Sequence, residues 1–323
     1  MRRRHLLKAI ASTGLAASSA AKIATAQQQA LVRIVVPYAA GGQTDAMARL
    51  LGASMDTTLG RRVLVDNRPG AAALIGTKAV QFAQPDGDTM LFHNSGFVAL
   101  PMLLKSADYD ALKDFDAVAM VGSSPNMLMV TDSVPARNMP EFLAYARSVP
   151  DGIECANSGI NSGGHISAML LERLAKIKLL HVPYKGSAEV TRALLSGDVK
   201  MQVSVTTDSL NPYIKSGKIR ILGVASKDPT SLAPGVPTIG EFVPGYSVDG
   251  WFGILAPAHT PLDKREVMAA AIKTALEEPA LKKRFEELYM EVIYQGPTKF
   301  AQTVADSIGY FKNIVEILQL TPQ

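Results

Sequence analysis

Short runs of apolar residues alternate with amphipathic segments along most of the chain, and this alternation limits the folds open to it. Runs such as "LVRIVVPY" (31–38) and "TMLFHN" (89–94) have the length of strands. Between them, segments such as "TDAMARLLGASM" (44–55) space apolar residues three and four apart, as helices do. Strand–helix alternation favours an α/β fold. Several strands are apolar almost throughout, which is typical of strands covered on both faces, as in parallel sheets.

The same pattern continues through a chain of 323 residues, a length that suits two domains. Further strands are predicted at 62–67, 117–122, 126–131, 153–158, 179–184, 200–205, 219–225 and 251–257, with a short strand in "MEVIYQG" (290–296). No low-complexity linker separates them, so we expect interleaved domains joined by crossing strands. We predict that domain I covers 27–130 plus 251–323 and that domain II covers 131–250.

The amino-terminal residues 1–26 are typical of a cleaved export signal. They hold five basic residues and no acidic residue, an Ala-rich middle, and "ATA" (24–26) before Gln27. "RRHLLK" (3–8) resembles a twin-arginine signal, although Arg2 stands where such signals usually carry Ser or Thr, which leaves the general secretory route open. An uncleaved membrane anchor is the weaker alternative, because the segment is short and broken by Gly and Ser. We expect a periplasmic protein.

The charge of the mature chain argues against a nucleic-acid partner. The whole chain has a formal net charge of +4, but cleavage after Ala26 leaves 28 of its 33 basic residues against 29 acidic ones. Proteins that bind nucleic acid need a basic face, and no basic run with interleaved aromatic residues occurs beyond the signal. We therefore expect no nucleic-acid partner.

Cysteine and histidine do not occur in metal-binding patterns. Cys155 is the only cysteine, so the chain has neither an intramolecular disulfide nor a cysteine cluster. The histidines of the mature chain are scattered without the spacing of metal ligands. We expect no metal and no cofactor.

One candidate site is the first loop, which we define as residues 38–45 of "VPYAAGGQTD". A strand runs into Gly41 and Gly42, and Asp45 falls in the first turn of the following helix. The first amides of a helix have no intrahelical partner and carry partial positive charge. Glycines let a ligand approach these amides closely.

A similar pattern occurs in the second loop, which we define as residues 157–167, "NSGINSGGHIS". It also leaves a strand and begins a helix, with Ser162 as a natural N-cap. The Ser162 hydroxyl, or the amides of Gly163 and Gly164, can bind a carboxylate.

Each loop taken alone is also explained as a tight strand-to-helix turn. Neither loop contains the Gly-Lys-Ser/Thr of a phosphate loop or the spacing of a dinucleotide fingerprint. In open α/β sheets, ligands bind beyond the carboxyl ends of strands. Two such loops, one from each domain, would hold an anion between two helix starts.

Longer blocks of the sequence resemble the substrate-binding proteins of tripartite tricarboxylate transporters, also called the Bug or TctC family. The matching blocks run in one order through the mature chain and include "VPYAAGGQTDAMARLL", "VLVDNRPGAAALIGTKAV", "SGINSGGHISAMLLERL", "HVPYKGSAEVTRALLSGDV" and "WFGILAPAHTP". This resemblance implies a periplasmic binding protein of type II, with two α/β domains and a ligand cleft between them. It also implies a monomer that captures a small mono-, di- or tricarboxylate and delivers it to membrane permease subunits.

The resemblance further implies which residues bind the acid. Asn161 stands where the family usually has Gly, so its amide joins the candidates. The ligand-binding candidates from the first loop are Tyr38, Ala40, Gly41, Gly42, Gln43 and Asp45. Those from the second domain are Ser158, Asn161, Ser162, Gly163, His165, Tyr184, Lys185, Thr206, Thr207 and Asp208.

Two alternatives stay open at this stage. Ser162 and His165, completed by Asp45 or Asp208, are the residue types of a hydrolase triad, although no G-x-S-x-G elbow is present. A binding protein that signals to a sensor partner is the other alternative. "NRPG" (67–70) is interpreted either as a ligand loop or as a simple turn.

Overall fold

The computed structural model describes residues 31–160 and 162–322. The predicted export signal (1–26) and Asn161 lie outside the described residues, and only the backbone of Asp208 is described. Within this part of the chain no helix is long and apolar enough to span a membrane.

The described chain folds into eleven strands. In chain order they are β1 Val32–Val36, β2 Val63–Asn67, β3 Thr89–Asn94, β4 Phe115–Ser123, β5 Met127–Thr131, β6 Ile153–Asn157, β7 Leu179–Pro183, β8 Met201–Ser204, β9 Ile219–Val224, β10 Phe252–Pro257 and β11 Glu291–Gln295.

Ten α-helices cover these strands. They are α1 Gln43–Leu59, α2 Leu74–Gln81, α3 Gly96–Leu103, α4 Met139–Ser148, α5 Gly163–Ala175, α6 Ser187–Ser196, α7 Asn211–Lys215, α8 Leu262–Glu277, α9 Pro279–Glu287 and α10 Pro297–Leu318. Short 3₁₀ helices cover Ala71–Ala73, Asp208–Leu210 and Ile239–Glu241.

The strands form two sheets, one in each half of the molecule. The first has the order β11-β4-β10-β3-β1-β2, and the second has the order β7-β6-β8-β5-β9. The protein therefore has the two-domain α/β architecture that the sequence predicts.

Both sheets are mixed, so the expectation of parallel sheets holds only in part. β1 runs parallel to β2 and β3, and β6 runs parallel to β7 and β8. β10 is antiparallel to β3 and β4, and β5 is antiparallel to β8 and β9. β5 and β10 enter their sheets directly from the other sheet, without the helical crossover that a parallel neighbour requires.

The chain passes between the sheets at two places. β4 ends at Ser123 in the first sheet and β5 begins at Met127 in the second. The chain leaves the first sheet a few residues before the boundary at 130 that the sequence predicts. It re-enters the first sheet with Phe252 at the start of β10.

Apolar packing joins the two halves as well as filling each one. Met47 of α1, Ile272 of α8 and Phe92 of β3 belong to a cluster on the first sheet. A larger cluster contains residues of both sheets, and Phe311 and Ile314 of α10 belong to it. The C-terminal helix α10 packs against β4, α3 and α5, so it bridges both halves beside the crossings.

Candidate ligand-binding cleft

A cleft of ≈ 690 Å³ lies between the two sheets, and both loops contribute to its wall. This volume is within the range of pockets that bind small molecules. Tyr38 and Gln43 line it from the first loop, and Ser158, Ser162 and Gly163 line it from the second. The tertiary structure therefore brings together five of the sequence-predicted candidates, from loops more than a hundred residues apart.

The first loop begins its helix without a side-chain cap. The N-cap residue Gly42 has an extended backbone and makes no side-chain cap hydrogen bond. Gly41 has φ +84°, a conformation that favours glycine. The first amides of α1 have no acceptor within the helix, so they are available to an anion.

Asp45 holds the first loop together. Its side chain is buried; one carboxylate oxygen accepts a 2.8 Å hydrogen bond from the Gly41 N–H, and Arg49 pairs with the carboxylate at 2.9 Å. Burial alone would raise the pKa of Asp45, but hydrogen bonds from Arg49, Gly41 and Asn67 together hold this pKa below its usual value. The carboxylate is thus directed to its own loop and is not part of the cleft wall.

Ala40, Gly41 and Gly42 flank the cleft without lining it, whereas Ala39 and Gln43 do line it. The Gly41 amide is already engaged by Asp45. The anion-binding capacity of this loop therefore rests on the amides at the very start of α1.

Gln43 and Tyr38 connect the first loop to its surroundings. The Gln43 amide donates to the carbonyl of Leu288 at 2.6 Å and to the Ser124 hydroxyl at 3.4 Å. The Tyr38 hydroxyl donates to Asn94 Oδ1 at 3.2 Å, and burial raises the pKa of Tyr38 above its usual value. Both side chains are held in place before any ligand arrives.

The second loop begins its helix with a capped start. The Ser162 hydroxyl accepts the backbone N–H of His165 at 3.3 Å, which confirms Ser162 as the N-cap of α5. Gly164 lies close under the loop, because a Cβ at this position would be 2.6 Å from the carbonyl oxygen of Val203. Gly163 is open, with its nearest contact 4.0 Å away at the Asn126 amide.

His165 packs against β7 rather than lining the cleft. Its ring meets the His181 ring edge-on, with centroids 4.9 Å apart, and His181 pairs with Glu172 at 2.9 Å. Burial, and then the nearby His181, lower the pKa of His165 to about 4. The imidazole thus belongs to a histidine–glutamate cluster, and the Ser162 hydroxyl is engaged by the His165 backbone.

Among the side chains that the structure describes, the other candidates from the second half do not line the cleft. Lys185 is exposed, and its backbone N–H donates to Glu189 at 3.0 Å. Tyr184 packs against an apolar cluster of the second sheet. Thr206 is buried, Thr207 lines a small cavity of ≈ 10 Å³ that shares Ser158 and Ser204 with the cleft wall, and Asp208 begins the 3₁₀ helix. Ser204 and Val205 line the cleft instead, because the chain turns away from it after them.

Sequence reasoning missed several wall residues. Asn94 and Ser95 follow β3 and precede α3, so the same strand-to-helix pattern would have identified them. Ser124 and Asn126 lie at the crossing between the sheets, where no motif marks them. Other wall residues lie far from both loops in sequence and carry no local signal: Ala99, Leu100, Leu103, Val248 and Phe311.

Pro69 and Gly70 line the cleft, while the Arg68 guanidinium turns to Asp66 at 2.9 Å, so the 67–70 segment is part wall and part turn.

Among the described residues, no three His, Cys, Asp or Glu side chains are grouped so as to hold a metal ion.

Comparison with known proteins adds independent information. A model of the tripartite tricarboxylate transporter family receptor matches residues 47–320. A UPF0065 protein encoded in the tcbD–tcbE intergenic region of Pseudomonas sp. (strain P51) is 33% identical over 302 residues, covering 93% of this chain and 89% of that protein.

Two solved structures resemble the chain over most of its length. An R. palustris protein solved with adipate has a TM-score of 0.79 and 28% identity, covering 92% of this chain and 100% of that one. MatC from Rhodopseudomonas palustris, solved with bound malate, has a TM-score of 0.74 and 31% identity, covering 88% of this chain and 98% of that one.

The matching family is one of transporter receptors, and the structural relatives include the periplasmic binding protein BugD and a TctC solute-binding protein from Polaromonas, which are not enzymes, so the hydrolase alternative built on Ser162 and His165 is wrong. The resemblance seen in the sequence blocks is confirmed. The chain is a solute-binding receptor that belongs to the tripartite tricarboxylate transporter receptor family.

Proposed function

We propose that this receptor works in the periplasm as a monomer, binds a small organic acid by its carboxylate in the interdomain cleft, and delivers it to the membrane permease subunits of a tripartite tricarboxylate-type transporter. One observation carries the proposal: two strand-to-helix loops from different sheets contribute to the wall of one ≈ 690 Å³ cleft.

The chemistry of the two loops suits a carboxylate. The α1 start contributes unpaired backbone amides beside Gln43, and the second loop contributes the Ser158 and Ser162 hydroxyls beside the amide of Gly163. Helix starts favour negative charge by about 0.3–1 kcal/mol each, and more when water is partly excluded. Two helix starts on one anion therefore provide both affinity and a reason for the two halves to close on the ligand.

The relatives support the same class of ligand and the same location. One was solved with adipate and another with malate, and both of these ligands are carboxylates. Members of this receptor family are associated by name with tripartite tricarboxylate transporters. The predicted export signal at 1–26 agrees with a periplasmic receptor.

The binding step is tested by thermal unfolding and calorimetry with a panel of mono-, di- and tricarboxylates. A ligand present at a hundred times its Kd raises the free energy of unfolding by about 2.7 kcal/mol, so binding is visible as a clear increase in Tm. Ser158→Ala, on the cleft wall, should weaken binding, while Ser148→Ala, on the exposed surface of α4, should not. A panel without any shift would contradict the proposal.

Delivery to a permease is tested separately, in cells. Deleting the gene should abolish uptake of the acid identified in vitro, and cross-linking in membranes should capture permease subunits. Capture of a sensor kinase with unchanged uptake would instead favour the signalling alternative.

A further inference from the structure

A carboxylate of the first half accepts two hydrogen bonds from the second half. Glu291 lies at the start of β11, an edge strand of the first sheet. Its Oε2 accepts a hydrogen bond from the Thr230 hydroxyl at 3.0 Å, and its Oε1 accepts one from the Ser231 hydroxyl at 2.8 Å. Both oxygens are therefore engaged by one short segment that follows β9, which we define as the 226–231 segment.

The 226–231 segment is fixed to the second half. It follows β9 directly, and the Thr230 side chain is buried. The Thr230 hydroxyl accepts the Leu232 backbone N–H at 3.2 Å, and Ala233 packs into an apolar cluster on the second sheet. The contact with Glu291 thus joins the two halves, and it responds to any rotation of one half relative to the other.

Sheet order places this contact and the two loops on opposite sides of the crossing between β4 and β5. In the first sheet, β11 lies on one side of β4, whereas β1, which leads into the first loop, lies on the other side. In the second sheet, β9 lies on one side of β5, whereas β6, which leads into the second loop, lies on the other side. A rotation about the crossing that brings the two loops together therefore moves β11 and the 226–231 segment apart.

The described conformation is open on the side of the loops. Ile160, in the second loop, lines the cleft and is nevertheless 67% exposed. A Cβ at Gly41, in the first loop, would meet none of the described atoms within 4 Å, so the second loop does not lie against it. Closure of two halves around a ligand covers such surfaces. The Glu291 contact is therefore made in the state in which the loops are apart.

The chemistry of the contact allows it to form and break. Both donors are neutral hydroxyls, and Ser231 is exposed, so water can take their place on the carboxylate. A donor and an acceptor more than about 3.5 Å apart no longer form a hydrogen bond, so a displacement of about 1 Å is enough to break both bonds. Even a modest rotation of the halves therefore breaks this contact.

From this placement, and resting on the proposed function, we propose that Glu291, Thr230 and Ser231 form a latch that holds the receptor open and lowers the affinity of the cleft for its acid. The latch breaks before the two loops meet on the ligand. A receptor that populates its binding-competent state only in part has its apparent affinity reduced by that fraction. Removing the latch increases the closed fraction and so tightens binding, although none of the three residues lines the cleft.

A distance measurement without any acid tests the latch directly. Spin labels at Arg62→Cys, before β2, and at Lys185→Cys, after β7, lie at the sheet edges opposite the latch; both positions are exposed, and the buried Cys155 stays unlabelled. We expect Glu291→Ala to add a population with a shorter distance between the labels in pulsed electron paramagnetic resonance. Glu266→Ala, exposed on α8, is the matched control and should leave the distances unchanged.

Calorimetry measures the effect on binding, with the acid of the carboxylate panel that the unmodified protein binds most tightly. We expect Glu291→Ala to raise this affinity about fivefold, and Ser231→Ala, which removes one donor of two, to raise it about twofold. Circular dichroism and Tm establish that each variant is folded. Because Ser231 is exposed, Ser231→Ala serves for both measurements if Glu291→Ala does not fold. Weaker or unchanged affinity in the folded variants contradicts control of binding by the latch.

The outcomes separate the latch from the proposed function. Label distances in the folded variants that equal those of the control overturn the latch and leave the carboxylate receptor standing. Failure of every acid to bind the unmodified protein overturns the proposed function, and the label distances then still decide whether the latch exists. Shorter distances with unchanged affinity show that the contact holds the halves apart, and they overturn its role in setting affinity.

Discussion

The first loop begins its helix with Gly42, which offers no side chain to the amides of α1, whereas the second loop begins its helix with Ser162, whose hydroxyl accepts the His165 N–H. The glycines differ in the same way. Space around a Cβ at Gly41 is empty within 4 Å, while a Cβ at Gly164 would meet the Val203 carbonyl oxygen at 2.6 Å. Glycine in the first loop leaves the backbone amides of α1 without a capping side chain, whereas glycine in the second loop allows the backbone to pack closely on β8.

The two loops are therefore stabilised by different contacts. The first loop is held by its own acidic residue, because Asp45 accepts the Gly41 amide and pairs with Arg49. The second loop is held by its cap and by the strand beneath it. We therefore expect changes at Ser162 and Gly164 to affect mainly folding, and changes at the α1 start to affect mainly ligand binding.

The largest expected effect concerns the histidine beside each loop. Burial lowers the pKa of His93, next to Tyr38, to about 4, and burial followed by His181 lowers that of His165 to about 4. In the unfolded chain both imidazoles become protonated as the pH falls below about 6.5, whereas in the folded protein they stay neutral until the pH approaches 4. The free energy of unfolding that the neutral imidazoles contribute is therefore complete above pH 6.5 and is lost as the pH falls towards 4. For fully buried His93 the loss is about 3 kcal/mol. The partly exposed His165 contributes less.

Histidine ring-proton titration by NMR, with urea unfolding at pH 7.5 and 4.5, measures this. The NMR titration separates the histidines from carboxylates that also titrate. A His93 signal that titrates near pH 6.5 would contradict the expected neutral core imidazole.

The next effect separates two adjacent glycines of the second loop. Gly164→Ala should destabilise the protein by about 2 kcal/mol, since the new methyl group meets backbone that cannot move aside cheaply. Gly163→Ala, in open space at the helix start, should change stability by no more than about 0.5 kcal/mol. Urea unfolding of the two variants, equal in composition, provides the measurement. Similar losses in both would show that helix geometry, and not close packing, sets the requirement for glycine.

A smaller effect is expected at the first loop's own anchor. Asp45→Asn keeps the volume but weakens the bonds to Gly41 and Arg49, which should cost about 1 kcal/mol because Arg49 is half exposed. Affinity for a carboxylate should change only slightly, since the side chain is directed away from the cleft. Asp306→Asn, exposed on α10, is the control. A large loss of affinity with unchanged stability would place Asp45 in contact with the ligand.

The smallest effect on stability is expected when the N-cap Gly42 of the first loop is replaced by serine, the residue that caps the helix after the second loop. Gly42→Ser should change stability by only a few tenths of a kcal/mol, because the extended backbone at Gly42 accepts any residue and Gly is itself a fair N-cap. Its hydroxyl would compete for the α1 amides, so carboxylate affinity should fall. Ser162→Ala, by contrast, should cost about 1 kcal/mol of stability. Thermal unfolding of both variants measures the loss of stability, and calorimetry measures the affinity for the carboxylate. Unchanged affinity in Gly42→Ser would argue against the uncapped α1 amides as the anion site.

Much of the fold was predictable from sequence. The ten predicted strands and the short eleventh are all present, with ends that differ by a few residues from those predicted. They were predictable because the spacing of apolar residues and the residue types of turns are local properties of the sequence. The parallel character was overestimated, since an apolar strand looks the same in either direction. Only the positions of the two crossings determine that β5 and β10 run against their neighbours.

The candidate site was predictable where a motif coincides with a strand's carboxyl end. Ser162 was identified in this way, and Gln43, which the family resemblance implies, lies in the first loop that the same pattern marks; both line the cleft. Lys185 and Thr206 follow strands too, yet the structure leaves one exposed and buries the other. Which side of a loop meets a cavity depends on the elements packed behind it, and those are distant in sequence.

The sequence by itself determined that the chain alternates strands and helices, that two glycine-rich turns precede helix starts, and which family the chain belongs to. The tertiary structure alone decided that these turns share one cleft, that Asp45 and His165 are directed away from its interior, and that residues of α3 and α10 complete its wall. The reason is physical: secondary structure follows from local backbone and side-chain preferences, whereas the polarity of a cavity is set by segments, such as α3 and α10, that meet only after folding.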